Sequence, residues 1–156
     1  MVSITKSLKH MAWSSQKIFE DISKFPDEIY GLKAADSEWP VGRILTHFLN
    51  AGEWYRYILS GDRWSDIKPI TNSQLLLESA KYLAQLDEFL ISESFKDDGE
   101  VKYDDESGPS TTTRSMVLSQ AVMHTAEHKG QLGTILITHG FHLDLDKYDV
   151  WAFESQ

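Results

Sequence analysis

Apolar residues return every three or four positions along most of the chain, and they mark out four helices. Ile4, Leu8, Met11, Ile18, Phe19 and Ile22 fall near the helical period, so a first helix is expected from about Ser3 to Ser23, before the Phe25-Pro26 break. A loop then runs from Gly31 to Trp39. Pro40 stands where the first turn of a helix tolerates it, and Ile44, Ala51, Tyr55 and Ile58 share a face of a second helix that ends at Gly61. Thr71-Asn72-Ser73 offers N-cap chemistry for a third, whose Leu76, Leu83, Leu86 and Leu90 sit at helical spacing up to Ser94. Phe95 to Thr113 breaks the pattern. It carries six acidic residues between Asp97 and Glu106, followed by Ser107-Gly108-Pro109-Ser110, and reads as a long solvated crossover with at most a short irregular strand pair at Val101 to Tyr103. A calcium-type oxygen site is the alternative for it, although the EF-hand spacing is missing. The fourth helix is expected from about Arg114 to His139, with Gly140 as its stop. The tail, Phe141 to Gln156, is too apolar for a free end and should pack back.

This pattern predicts an all-α fold: a four-helix bundle with long crossover connections, carrying the tail on its side, formed by residues 1–156 as one domain. The two longer connections favour a helix order other than simple up-and-down neighbours.

On the fourth helix, a step of 100° per residue puts His124 and His128 on one face with Val117, Ala121, Leu132 and Ile135. On the second, His47 shares the inward stripe with Ile44, Ala51, Trp54 and Ile58. Three histidines are therefore expected to be buried facing one core. Buried imidazoles need partners for both ring nitrogens, and three of them cannot all carry charge in a low-dielectric interior. One shared divalent metal satisfies all three, since an i, i+4 pair presents two nitrogens from adjacent turns and a packed neighbour supplies the third. Against this, a chance i, i+4 pair is not rare in a chain with six histidines, and a hydrogen-bonded histidine core needs no ion.

His124-Thr125-Ala126-Glu127-His128 also matches the H-x-x-E-H pattern of inverted zinc proteases, with Glu127 as general base. Such folds are much larger and draw their third ligand from well downstream, so Glu127 reads better as a flanking residue. Gln131 flanks the histidine face and could hydrogen-bond a ligand imidazole, a water or substrate. Asn50 and Trp54 hold comparable pocket positions on the second helix, with a plain core role as the alternative for Trp54. His139 suits the carbonyls at the helix C-terminus, and His10 and His142 a surface or pocket rim. Gly130 and Gly133 each cost about 1 kcal/mol in a helix interior, which a close-packed neighbour would offset.

Composition narrows the chemistry. The absence of Cys removes disulfides, thiolate nucleophiles and Cys-type zinc sites, leaving His, Asp and Glu as metal ligands. A formal charge of −9, with no basic patch to override it, speaks against nucleic acid and anionic membranes as partners. No segment has signal-peptide or membrane-span character, so a cytoplasmic location is expected.

Trp39, His47 within Val41-Gly42-Arg43-Ile44-Leu45-Thr46-His47, and the run His124 to Leu132 with its Gly130-Gln131, together resemble the DinB-like superfamily of four-helix metalloproteins. Relatives of that superfamily are the YfiT-like proteins and thiol-dependent S-transferases. The match extends to Gly140-Phe141 after the last helix and to the acidic-aromatic tail at Asp146 to Trp151, with Lys129 where the family usually has Arg. The resemblance implies that His47, His124 and His128 bind one divalent metal (Ni, Zn, Fe or Mn) and that the protein is a homodimer. It also implies a metal-dependent enzyme, a thiol S-transferase or hydrolase, in which a low-molecular-weight thiol or water attacks a small electrophile. The alternative is a non-catalytic, metal-stabilised small-molecule binding protein. A plain helical dimer with a histidine core is the third reading.

Overall fold

The computed structural model describes residues 3–34, 39–62 and 65–155, so the end of the expected loop before Trp39 and Gln156 of the tail lie outside the described residues. Four long helices form: α1 (Ile4–Ile22), α2 (Val41–Ser60), α3 (Ser73–Glu93) and α4 (Arg114–Thr138). Their boundaries follow local chemistry. Pro40 is the N-cap of α2 rather than its first-turn residue, and Gly61 closes the helix in the left-handed region at φ 76°. Asn72 Oδ1 accepts a 2.9 Å hydrogen bond from the Leu75 amide at the start of α3. Asn72→Ala should therefore destabilise the fold by about 1 kcal/mol in chemical denaturation, since it orphans that amide.

The main helix contacts run α1 to α3, α3 to α2, α2 to α4 and α4 back to α1. The principal neighbours of α1 are thus not the helix that follows it, as the long connections imply. Two apolar clusters fill the interior. One gathers Phe19, Ile44, Phe48, Leu132 and Ile135. The other gathers Leu8, Met11, Tyr55, Leu90, Val117 and Ala121.

The fold is mainly helical but not all-α. The acidic crossover forms a regular antiparallel hairpin, β1 (Glu100–Asp105) paired with β2 (Gly108–Thr113), in register from Glu100 opposite Thr113 to Asp105 opposite Gly108. Only Val101 and Tyr103 alternate inward as large apolar side chains, so the period-2 signal is too short to stand out. Val101 is buried, and Tyr103 packs edge-on against Trp54 at 5.8 Å, which docks the hairpin on α2. Among the described residues, no acidic side chains of the hairpin gather into a ligand cluster.

The tail packs back as its composition demands. Leu143 and Tyr148 are buried, Phe141 meets Phe25, and a short helix α5 (Val150–Glu154) lies against α1. His10 Nε2 lies 2.7 Å from the Tyr148 carbonyl oxygen and its ring meets Phe153, so this histidine holds the tail. A Cβ on Gly133 would fall 2.7 Å from Leu145 Cδ1, which accounts for that glycine; one on Gly130 would meet nothing.

Tyr148 donates to Asp21, and the neighbouring Lys24, 2.6 Å away, does most to hold the Asp21 carboxyl below its ordinary 3.8. A depressed acid adds stability above its unfolded value and loses it as pH falls through the folded one. Acidification below about pH 4 should therefore reduce amide protection in residues 145–154, measured against the intrinsic exchange rate at each pH, and Asp21→Asn should flatten that response.

Candidate metal centre

Because α2 and α4 pack together, His47 comes to the same place as His124 and His128, between the two apolar clusters. The three side chains are half-buried rather than buried, a correction to the helical-stripe reading: the stripe faces inward, but this stretch opens to solvent. One nitrogen from each lies within 4.8 Å of the others, the one such group of three among the described residues. His124 Nε2 stands 3.3 Å from His47 Nε2 and 2.9 Å from His128 Nε2. Three nitrogens bound to one ion at about 2.0–2.1 Å, at right-angled to tetrahedral geometry, would stand roughly 2.8–3.4 Å apart. The spacing fits a shared cation.

The far side of each α4 ring is occupied. His128 Nδ1 is 3.0 Å from Gln131 Oε1, an acceptor, so Nδ1 carries the proton and Nε2 keeps its lone pair for an ion. His124 Nδ1 is 2.8 Å from Tyr55 Oη. Burial, with Glu127 nearby, pushes the Tyr55 hydroxyl up to about 12, so it stays a neutral phenol. Burial first, then the positive forms of His128 and His124 and the Arg43 charge, bring His47 down to about 4. Burial likewise lowers His124, with His128 adding. These two imidazoles are thus neutral near pH 7, the form that binds metal.

Trp39 forms a wall of the site. Its ring stacks 6.0 Å from His128 at 9° between planes, meets His47 edge-on at 4.9 Å, and carries the Arg43 guanidinium over its face at 4.4 Å.

Of the sequence-derived pocket residues, Gln131 holds the His128 imidazole. Asn50, one turn beyond His47, is exposed. Trp54 is half-buried and packs on Tyr57 and Tyr103 beside the hairpin. Glu127 is exposed, and the third histidine comes from α2, upstream of the pair, whereas the protease pattern draws its third ligand from downstream. His139 Nδ1 lies 2.9 Å from the Ile135 carbonyl oxygen at the helix end, and His142 is exposed. Sequence reasoning took Tyr55 only as an apolar-face residue. The available signal was a phenol hydroxyl on a buried stripe, which requires a partner.

If Gln131 orients a ligand, Gln131→Leu should lower zinc affinity by about 10- to 100-fold in a chelator competition assay while leaving the metal-free fold intact.

The DinB family model matches residues 1–142, and the chain belongs to the DinB family. No curated protein matches it by sequence. No described helix is long and apolar enough to cross a membrane.

Proposed function

We infer that this chain is a divalent-metal enzyme in which His47, His124 and His128 hold one ion and leave part of its shell open to a small thiol or water. The reaction would be of the S-transferase or hydrolase type, joining the thiol or water to a small electrophile with loss of the electrophile's leaving group. The observation that carries the reading is the convergence of three Nε2 atoms in a half-buried face, with Nδ1 of both α4 ligands already engaged by Gln131 and Tyr55. A structural site would normally draw a fourth ligand from the protein, and none of the described Asp or Glu side chains joins the group. When bound, the ion supplies Lewis acidity that lowers the pKa of a thiol or water held at its open face, so a chain without Cys can still present a nucleophile near neutral pH. The protein's own part is to keep its imidazoles neutral and oriented, and to shield one side of the site with the Trp39 ring and the Arg43 guanidinium laid on it.

That no carboxylate joins the three-histidine group also favours a second reading, a metal-stabilised binding protein without catalysis. The two are separated by loading the protein with zinc, nickel or manganese and assaying small thiols with alkyl electrophiles, and separately esters and amides. Turnover that depends on metal and is lost in His47→Ala supports the enzyme; saturable binding without turnover supports the second reading.

A homodimer belongs to the same proposal. Met116, Met123 and Ile137 lie exposed on the outer face of α4 at multiples of seven residues, and sedimentation velocity would report the association.

A further inference from the structure

Behind the histidines, α3 contributes a carboxylate with no obvious purpose. Asp87 is 4 % exposed, and its Oδ2 has no hydrogen-bond partner. An orphaned buried acceptor costs about 1–3 kcal/mol, so it calls for an explanation. The cation whose charge acts on it, Lys129, donates instead to the Met11 carbonyl at 3.0 Å and to Ser14 Oγ at 2.6 Å. Burial outweighs that attraction and moves the Asp87 carboxyl up to about 7.

A second group has the opposite deficit. A metal on His124 Nε2 requires the proton to sit on Nδ1, which then donates to Tyr55 Oη. Tyr55 must send its own proton elsewhere, yet its hydroxyl makes no other hydrogen bond among the described residues. Tyr55 and Asp87 line the same cavity, together with Ser15 and Thr125, and its volume is about 10 Å³. That is room for about one water, in a setting polar enough to hold it.

We propose that a single internal water in this cavity accepts the Tyr55 proton and donates to Asp87 Oδ2, which makes Asp87 a positioning residue for the ligand His124. The chain runs from the α3 carboxylate through water, phenol and imidazole to the ion, so it rests on the metal reading above. It explains why a carboxyl group is kept in the interior and why a tyrosine stands on that stripe of α2.

The test is zinc affinity by chelator competition for the wild type, Tyr55→Phe, Asp87→Leu, the double variant and Asp87→Asn, with a crystal structure of the wild type at a resolution that shows ordered water. Tyr55→Phe and Asp87→Leu should each weaken zinc about tenfold. The double variant should be no weaker than either single one, and Asp87→Asn, which keeps an acceptor oxygen, should recover most of the loss. Asp87→Leu without effect, or with the same effect in the Tyr55→Phe background, overturns the proposal, because a purely structural role would not depend on Tyr55. A water within hydrogen-bond distance of both Asp87 Oδ2 and Tyr55 Oη supports it, and an empty cavity overturns it, even if Asp87→Leu fails to fold. If the wild type binds no zinc, nickel or manganese, the metal reading fails and the positioning role falls with it, while the water still decides the bridge.

Discussion

Replacing His124 with alanine is expected to take the purified protein from about one divalent ion per chain to almost none after dialysis against a weak chelator. His124 is the central member of the group, with its Nε2 facing those of both His47 and His128, so its loss leaves two nitrogens that no longer enclose an ion. The same loss should appear as stability. Zinc at 100 times its dissociation constant stabilises the form that binds it by about 2.7 kcal/mol, which corresponds to a rise in Tm of roughly 5–10 °C for a chain of this size. The wild type should show that shift and His124→Ala should not. In the metal-free state the order should reverse as pH falls below about 6, where the unfolded imidazoles take up protons that burial and the neighbouring histidines deny the folded His124 and His47. A wild type that shows no zinc shift, together with a variant less stable than the metal-free wild type, would point instead to a hydrogen-bonded histidine core.

Gly42→Ala is expected to lower Tm by roughly 4–8 °C, or about 2 kcal/mol, although alanine is the better helix former by about 1 kcal/mol. A Cβ at this position would run into the Ile70 carbonyl oxygen and lie 3.1 Å from that of Tyr30, and both obstacles are backbone. The neighbouring turn shows why the chain comes so close. Thr46 Oγ1 donates to the Gly42 carbonyl at 2.7 Å and accepts from the Ile70 amide at 2.9 Å, which clamps the segment before α3 against α2 beside His47. Forcing that segment away should therefore reach the metal site as well as the core. Gly130→Ala is the control. A Cβ there meets open space, so the same substitution should stabilise the metal-free monomer by about 0.5–1 kcal/mol in the same denaturation experiment.

The helices were legible because their signals are local. Spacing of apolar residues, the Asn72 cap and the stops at Gly61 and Gly140 lie within one turn of the structure they specify, and the structure places α2, α3 and α4 within a residue or so of the expected bounds. The hairpin was harder to see, because an exposed two-stranded sheet needs only two inward side chains, Val101 and Tyr103, and its Thr-rich and acidic positions look the same in a loop. Asn50 and Gln131 show where stripe reasoning divides. Each lies three residues from a histidine, but the face of α4 at Gln131 turns toward His128 while that of α2 at Asn50 turns to solvent, and the packing of the two helices selects between them.

By itself, then, the sequence determined that this protein has four amphipathic helices, no thiol chemistry of its own, and three imidazoles on inward stripes of two helices. Periodicity and residue type are enough for that, since both act over a turn or two of chain. Tertiary structure decided that His47 meets His124 across 77 residues of chain. It also decided that the rings are half-buried at an open face, and that Tyr55 and Asp87 stand behind them. Distance and solvent exposure depend on how helices dock, which is a sum over many weak apolar contacts that no single stretch of sequence contains.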